Sequence, residues 1–155
     1  MDDLLFAYAE SPVGLVEIGC SDAGLAALNF VEEARHSPAV TSLLTDAARQ
    51  IDAYFAQKLP VFDLPLDLRG TDFQRRVWAQ LLTVPYGQTA TYLDIALALG
   101  NPQAVRAVGA ANGQNPVSIV VPCHRIIGSG GKLIGYGGGL WRKEWLLRHE
   151  GSLLV

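Results

Sequence analysis

Apolar and polar residues alternate in three short stretches near the start of the chain, at residues 4–8, 13–19 and 25–30. This two-residue period predicts β-strands that each bury one face. Ser11-Pro12 and Ser21-Asp22 stand between the stretches and favour tight turns. We therefore expect a hairpin or a three-stranded antiparallel meander.

The hydrophobic period becomes that of a helix over residues 40–57. Apolar side chains recur there at helical spacing, at Leu43, Leu44, Ala47, Ala48, Ile51, Tyr54 and Phe55. Residues 58–70 contain two prolines and show no helical period, which is typical of a linker. We predict an α/β subdomain at residues 1–60, a linker at 61–70 and a second domain at 71–155.

The second domain begins with the pattern of short helices separated by breaks. Thr71 or Asp72 can cap a first helix, which ends at the turn residues 85–87. Thr89 or Thr91 can then open a second helix.

A helical corner follows at Gly100. This glycine ends the second helix, and Asn101 caps a third helix that has Pro102 at its first position and runs to Gly113. Two short helices joined by Gly-Asn-Pro fit a helix-turn-helix, although many helical proteins contain such a corner without binding DNA.

The rest of the domain combines an apolar run, a glycine-rich loop and a last helix. Residues 117–121 are mainly β-branched and predict a short, buried, extended segment. Residues 128–139 hold seven glycines, which favours positive φ or close approach of a ligand. The last helix, residues 140–150, is expected to bury Leu140, Trp145, Leu146 and Leu147. Strands followed by helices make the predicted fold class α+β, with a mainly helical second domain.

Composition narrows the class of protein. Of 155 residues, 50% are hydrophobic and 17% are charged, which is a globular composition. We find no signal-peptide pattern and no apolar run of about 18 residues, so we expect a soluble, cytoplasmic protein without contact to a membrane. The two cysteines, Cys20 and Cys123, can be two reduced thiols or a disulfide, and a reducing compartment favours the former.

Charge is distributed unevenly along the chain. The net charge is −3, but residues 1–60 carry nine acids and three bases, whereas residues 61–155 carry six acids and nine bases. The basic second part could contact phosphates while the acidic first part faces away, or it could simply be solvated.

Cys123 is the main candidate for chemistry because Pro122 precedes it and His124 and Arg125 follow. A thiol has a pKa of about 8.5, so it needs a base or a cation nearby to become a nucleophile. Neighbouring side chains of an extended chain point to opposite faces, so His124 would reach the thiol through a water molecule. A carboxylate could orient the imidazole from behind, and the candidates are Glu150 and Glu144. The alternative is that Cys123 is a small buried hydrophobic residue.

Residues 71–151 resemble the C-terminal domain of the O6-alkylguanine-DNA alkyltransferases, also called methylated-DNA–protein-cysteine S-methyltransferases. Five stretches carry the resemblance in order: TDFQRRVW at 71–78, VPYGQTATY at 84–92, RAVGAANGQNP at 106–116, VVPCHRIIG at 120–128 and GYGGGLWRKEWLLRHEG at 135–151. Residues 1–60 have the layout of the ribonuclease H-like N-terminal subdomain of this family.

The resemblance implies DNA repair by an irreversible transfer in which the protein itself is consumed. Cys123 would take the alkyl group from O6 of guanine, and possible activity on O4-alkylthymine is left open. His124 would act as the base and Glu150 as the carboxylate that holds it. Tyr92 would crowd the target phosphate and protonate the departing guanine.

The resemblance also implies how DNA is bound. Arg106 would fill the space of the flipped nucleotide, Asn115 would tie the helix-turn-helix to the active-site segment, and Tyr92 would lie at the recognition site. From the basic residues of the second domain we add Arg125 to the predicted DNA-binding set. The substrate pocket is expected at Tyr136, Gly137 and Asn112. The implied partner is duplex DNA carrying O6-alkylguanine, bound by a monomer without a cofactor.

The sequence also bears on three alternatives: a zinc-binding family member, an alkyltransferase-like protein and a hydrolase. Some family members bind zinc in the N-terminal subdomain, but residues 1–70 offer only Cys20 and His36 as Cys or His ligands, so we expect no metal. Alkyltransferase-like proteins bind alkylated DNA without chemistry and lack the acceptor cysteine, which Cys123 supplies here. The other alternative is a hydrolase built on a cysteine, a histidine and a glutamate, which would turn over many times.

Overall fold

The computed structural model describes residues 3–152. The chain divides into two compact units, the first ending at Arg69 and the second beginning at Gly70.

The first unit is a three-stranded antiparallel meander with one helix. Its strands are β1 (Leu5–Ser11), β2 (Gly14–Cys20) and β3 (Leu25–Val31), in the order β1-β2-β3. Gly14 has a φ of 112° and allows the tight turn between β1 and β2. The predicted meander is therefore present, with each strand lengthened or shifted by one to three residues.

The helix of the first unit, α1 (Ser42–Phe55), packs on β1 and β2. The side chain of Thr41 accepts a hydrogen bond from the amide of Leu44 and caps the helix. Leu44, Ile51 and Tyr54 are buried between helix and sheet, as the helical period predicts.

The segment predicted as a linker is bonded to the first unit over part of its length. The amide of Leu25 donates to the carbonyl oxygen of Pro65 (2.8 Å), and the amide of Asp67 donates to the carbonyl oxygen of Leu25 (2.9 Å). The side chain of Gln50 also bonds the backbone of Asp63 in both directions. The backbone of this segment is therefore paired with Leu25 at the start of β3. The prolines of the segment do not predict this pairing.

Within residues 70–152, the second unit contains four α-helices and a two-stranded parallel sheet. The elements are α2 (Asp72–Leu81), β4 (Ala90–Thr91), α3 (Tyr92–Ala98), α4 (Val105–Gly113), β5 (Ile126–Ile127) and α5 (Leu140–His149). Thr71 caps α2 and Thr91 caps α3, each through a reciprocal bond with the residue three positions later. Trp78 is buried and donates its indole N–H to the carbonyl oxygen of Ala111 (2.8 Å), which ties α2 to α4.

Helices α3 and α4 pack together and form the predicted helix-turn-helix. Gly100 ends α3 with a φ of 77°. Asn101 stands at the predicted N-cap position, but its side chain makes no capping bond, and the chain passes through a 3₁₀ turn at Pro102–Ala104 before α4 begins. The proline is nevertheless at the first position, where its missing N–H is not needed.

Residues 117–121 do not form the extended segment that their β-branched composition predicts. The amide of Val121 donates to the carbonyl oxygen of Val117 (3.0 Å), so the chain turns here. Ile119 has a φ of 72°, a conformation that β-branched residues rarely adopt. The turn is buried, and packing of Val117, Ile119 and Val121 in the core overrides the local preference.

The last helix buries two of the four residues that the sequence predicts to be buried, Leu146 and Leu147. Leu140 is exposed and Trp145 is half-buried, whereas a stripe three, four and seven residues apart is buried. This stripe consists of Lys143, Leu146, Leu147 and Glu150. Two of its four members are charged, which places ionisable groups inside the domain.

Candidate active site

Cys123 lies in a single 3₁₀ turn, Cys123–Arg125, that follows Pro122 and leads directly into β5. Ile126 and Ile127 of β5 pair with Ala90 and Thr91 of β4. Because Thr91 caps α3, the turn is fixed relative to the helix-turn-helix.

The thiol of Cys123 is covered but adjoins polar groups. The residue is 5% exposed, and burial raises its pKa. A hydrogen bond from Asn115 and the positive charge of Lys143 oppose this effect. The thiol is therefore a weak acid whose ionisation depends on the groups around it.

Asn115 ties the end of α4 to the turn before Cys123. Its Nδ2 donates to the carbonyl oxygen of Val121 (2.7 Å), and its Oδ1 accepts from the amide of Val117 (3.0 Å). The side chain is buried, so both bonds are shielded from water. These two bonds join the residue that follows α4 to the segment just before Cys123.

A buried acid–base cluster lies behind the turn. Nε2 of His124 is 2.8 Å from Oε2 of Glu150, and Nε of Arg125 donates to Oε1 of Glu150 (2.8 Å). Arg125 also donates through Nη2 to Glu150 (3.1 Å) and through Nη1 to the carbonyl oxygen of Val84 (2.8 Å). Burial alone would raise the pKa of Glu150, but the bonds from His124 and Arg125 outweigh it and bring the pKa to about 2.

These contacts define the tautomer of His124. Burial lowers its pKa, although Glu150 partly opposes this, so the imidazole is neutral near pH 7. The ionised carboxylate only accepts, so the imidazole proton resides on Nε2. Nδ1, which makes no hydrogen bond to any residue in the range 3–152, is left with a lone pair that can accept a proton.

The choice between Glu150 and Glu144 is decided by burial. Glu144 lies on the surface of α5 and pairs with Arg148 (2.7 Å) one turn later. Glu150 is buried and bonds the imidazole directly.

A pocket of about 400 Å³ lies between the helix-turn-helix and the glycine-rich loop. Its lining residues come from α3, α4 and the loop: Tyr92, Val105, Gly109, Asn112, Gly113, Ile134, Gly135 and Tyr136. Nδ2 of Asn112 donates to the carbonyl oxygen of Cys123 (3.4 Å), so the wall of the pocket touches the cysteine residue itself. Gly137 does not line the pocket, but its Cα faces the same wall, where an added Cβ would lie 3.9 Å from the carbonyl oxygen of Gly113.

Both tyrosines of the pocket keep their phenolic protons at neutral pH. Burial raises the pKa of Tyr92 and raises that of Tyr136 well above 10, and a negative charge on Cys123 adds to both effects. The hydroxyl of Tyr92 donates to the carbonyl oxygen of Ile134 (3.0 Å) and holds the loop over the pocket.

The residues predicted to contact DNA differ in their exposure to solvent. Arg106 is exposed at the second position of α4, the second helix of the helix-turn-helix. The assignment of Arg125 to DNA contact is corrected: its guanidinium group is buried and bonded to Glu150 and Val84. Asn115 is likewise buried, and its side chain makes the two backbone bonds described above.

Lys143 was not among the sequence-predicted site residues. It is fully buried, and its ammonium group donates to three backbone carbonyl oxygens around the pocket. A signal existed in the sequence, because Lys143 stands three and four positions before Leu146 and Leu147 and so shares their buried face.

Three further observations concern ligands and cysteines. Within residues 3–152, no three or more His, Cys, Asp or Glu side chains cluster closely enough to hold a metal ion. In the same range, none of the helices combines the length and the apolar character required to cross a membrane. Cys20 and Cys123 are both free thiols, which removes the disulfide alternative.

A candidate cysteine nucleophile and a helix-turn-helix in one unit define a class of DNA-binding protein with a reactive thiol. The chain belongs to the 6-O-methylguanine DNA methyltransferase family: residues 4–68 match the family's ribonuclease-like domain, and residues 72–152 match its DNA binding domain.

Individual relatives agree with this membership. The methylated-DNA–protein-cysteine methyltransferase of Mycolicibacterium paratuberculosis is 50% identical over 151 residues, which cover 94% of this chain and 91% of the relative. The crystal structure of the Mycobacterium tuberculosis O6-methylguanine methyltransferase matches with a TM-score of 0.87 at 46% identity, covering 96% of this chain and 93% of that one. The same organism's protein in complex with DNA matches with a TM-score of 0.85 at 49% identity, covering 94% and 92%.

Proposed function

We propose that this protein repairs DNA by moving an alkyl group from O6 of guanine to the sulfur of Cys123, where it stays. The observation that carries the proposal is the hydrogen bond between His124 and Glu150, because it leaves a proton-accepting nitrogen on the residue next to the thiol. The family membership and the relative solved with DNA support the same reaction class.

The first step is ionisation of the thiol. The proton leaves Cys123 and reaches Nδ1 of His124 through a water molecule, because adjacent side chains do not face each other. The imidazolium that forms is stabilised by Glu150, which is already ionised at neutral pH. Asn115 and Lys143 stabilise the thiolate.

The second step is displacement at a saturated carbon. The thiolate forms a bond to the alkyl carbon while the bond from that carbon to guanine O6 breaks, and its electron pair goes to the guanine. A proton donor must neutralise the leaving base, and Tyr92, which lines the pocket, is placed for this role. The products are a thioether on Cys123 and an unmodified guanine.

The target base must leave the duplex to reach the pocket, at a cost of about a few kcal/mol. We assign Arg106 to the space that the base vacates, because it is exposed on the second helix of the helix-turn-helix. Tyr136, Gly137 and Asn112 hold the base on the loop side and the helix side of the pocket.

A thioether has no easily displaced group, so the acceptor is not regenerated and each molecule acts once. Every step uses residues of a single chain and no cofactor or metal. We therefore propose a monomer that acts on duplex DNA carrying O6-alkylguanine, in the cytoplasm.

The mass of the intact protein tests the proposal. After incubation with duplex DNA containing O6-methylguanine, we expect one added methyl group per chain. Cys20→Ala is the matched control and should gain the same mass, whereas Cys123→Ala should gain none.

Two other outcomes contradict the proposal in different ways. Binding of the alkylated duplex without any mass gain would indicate a binding protein without chemistry. Release of more than one repaired guanine per chain would indicate a hydrolase that turns over.

A further inference from the structure

One polar atom in the wall of the pocket lacks a hydrogen-bond partner among residues 3–152. Asn112 is 4% exposed and lines the pocket, and its Oδ1 accepts no hydrogen bond from any residue in that range. A buried carbonyl oxygen without a donor costs stability, and a leucine of similar size would fill the same space without that cost. A purely structural role of Asn112 therefore does not account for this oxygen.

The other end of the same amide fixes the orientation of the oxygen. Nδ2 of Asn112 donates to the carbonyl oxygen of Cys123 (3.4 Å). The amide also opposes the rise in the pKa of Tyr92, which is the effect of a donor close to the phenol oxygen. If the amide turned over, its own oxygen would face these two oxygens. Oδ1 is therefore held away from them, as an acceptor.

Guanine alkylated at O6 supplies one matching donor. Alkylation removes the proton from N1, so in DNA the amino group at C2 carries the only N–H bonds of the base. O4-alkylthymine has lost the proton of N3 in the same way and has no amino group, so its edge presents only acceptors. An acceptor in the wall of the pocket therefore distinguishes the two lesions.

We propose that Oδ1 of Asn112 accepts a hydrogen bond from the C2 amino group of the alkylated guanine and so selects O6-alkylguanine over O4-alkylthymine. This inference rests on the proposed function and adds a specificity-determining residue to it. Oδ1 is shielded from solvent in this structure, so a base reaches it through a small movement of the pocket wall. The thymine lesion would leave this oxygen unpaired next to its own acceptors, which a site built for a donor disfavours.

The test varies the substrate and the protein together. The probes are free O6-benzylguanine and O6-benzylhypoxanthine, which differ only in the C2 amino group. The rate constant of benzyl transfer to Cys123 is measured for each probe from the mass of the intact protein. The ratio of the two constants within one variant cancels changes in thiol reactivity, and comparing that ratio between variants cancels the intrinsic difference between the probes.

Three variants and a control complete the experiment. Asn112→Leu and the smaller Asn112→Ala remove the acceptor, so the preference for the guanine probe should fall about tenfold or more from the wild-type ratio. Asn112→Asp keeps an acceptor. It should react more slowly with both probes, because a carboxylate opposes the thiolate, but retain the preference. Gln114→Leu removes an exposed amide two positions later and should match wild type.

Duplex DNA extends the test to the two lesions. Methyl transfer from O6-methylguanine and from O4-methylthymine, each placed in the same duplex, is measured for wild type and for Asn112→Leu. We expect the ratio of the guanine rate to the thymine rate to fall about tenfold in the variant, because leucine leaves no unpaired acceptor beside the thymine.

The outcomes are distinguishable. A ratio for the two probes that is the same in wild type, Asn112→Leu and Asn112→Ala overturns the inference, and so does loss of the preference in Asn112→Asp. An unchanged ratio for the two lesions overturns the selection against O4-alkylthymine. If Asn112→Leu fails to fold, Asn112→Ala decides, because alanine fits the space of asparagine. If wild type acquires no alkyl group at Cys123 from any of these substrates, the proposed function itself has failed.

Discussion

Nε2 of His124 lies 2.8 Å from Oε2 of Glu150, and neither side chain is reached by solvent. The contact fixes the imidazole proton on the side away from Nδ1 and leaves Nδ1 as the acceptor. Because Arg125 bonds the same carboxylate, the cluster holds its negative charge without a proton. The reactivity of the neighbouring thiol therefore depends on a residue that is 27 positions later in the sequence.

Glu150→Gln should slow alkyl transfer. The neutral amide no longer stabilises the imidazolium, and general base catalysis contributes a factor of about 100 or more. The single-turnover rate with free O6-benzylguanine measures this effect without a contribution from DNA binding. Glu144→Gln, on the exposed face of the same helix, is the control and should react at the wild-type rate. Equal rates for Glu150→Gln and wild type would rule out the relay through His124.

Acid should destabilise the protein through Glu150. The pKa of this carboxyl is about 2 in the fold and 4.5 in its reference state, so the unfolded chain binds the proton first as the pH falls. The stabilisation is complete above pH 4.5, is lost as the pH approaches 2, and amounts to about 3 kcal/mol. Urea unfolding at successive pH values should show a shallower acid decline for Glu150→Gln than for wild type. Parallel declines would mean that other carboxyls carry the effect.

Asn115→Asp should raise the pKa of the Cys123 thiol further. It replaces a nearby amide, which lowers the pKa of the thiol, with a carboxylate, which repels a thiolate. Transfer at pH 7 should fall about tenfold for each unit of change in pKa and recover as the pH rises. Gln114→Glu adds the same charge at an exposed neighbouring position and should change little. A pH profile identical to that of wild type would refute the contact between Asn115 and the thiol.

Arg106→Ala should impair repair of duplex DNA far more than reaction with a free base. A free base needs no flipping, whereas in the duplex the variant loses a group that offsets a cost of about a few kcal/mol, so a loss of about 100-fold is expected there. Arg75→Ala removes an exposed arginine from α2 and controls for the general loss of positive charge. If both assays lose the same factor with Arg106→Ala, the arginine does not fill the vacated space.

Alkylation should lower the melting temperature. The added group enters a site that is 5% exposed, next to the bonds of Asn115 with Val117 and Val121. Overpacking of this kind costs about 1–3 kcal/mol, which corresponds to roughly 2–10 °C in a chain of this size. Cys123→Ala treated with the same reagent is the control. An unchanged or higher melting temperature after alkylation would show that the site accommodates the group without strain.

The local patterns of the sequence are sufficient to predict most of the helices and strands. The alternation of the first 31 residues and the caps at Thr71 and Thr91 predict elements that the structure contains, because strand pairing and capping depend on near neighbours. The turn at residues 117–121 could not be predicted in this way. Ile119 adopts a positive φ because the buried core requires the turn, and β-branched composition indicates the opposite.

The sequence predicts the site residues whose motif and chemistry point to the same role. It does not predict side chains whose position depends on a partner far away in the sequence. The proximity of His124 and Glu150 was expected, and the structure places them in contact. The basic composition of the second domain predicts a DNA contact for Arg125, but its partner Glu150 lies on another element, which composition does not reveal. Lysine on a helix is usually exposed, so the burial of Lys143 follows only from its tertiary contacts with backbone carbonyl oxygens.

The groups that tune the thiol are translated after it. Lys143 and Glu150 follow Cys123 in the sequence, so a nascent chain on the ribosome carries the cysteine for roughly a few seconds before either partner exists. During that interval neither the cation beside the sulfur nor the carboxylate behind the imidazole is present. The arrangement of groups that we propose for alkyl transfer is therefore complete only after α5 has been synthesised and has packed.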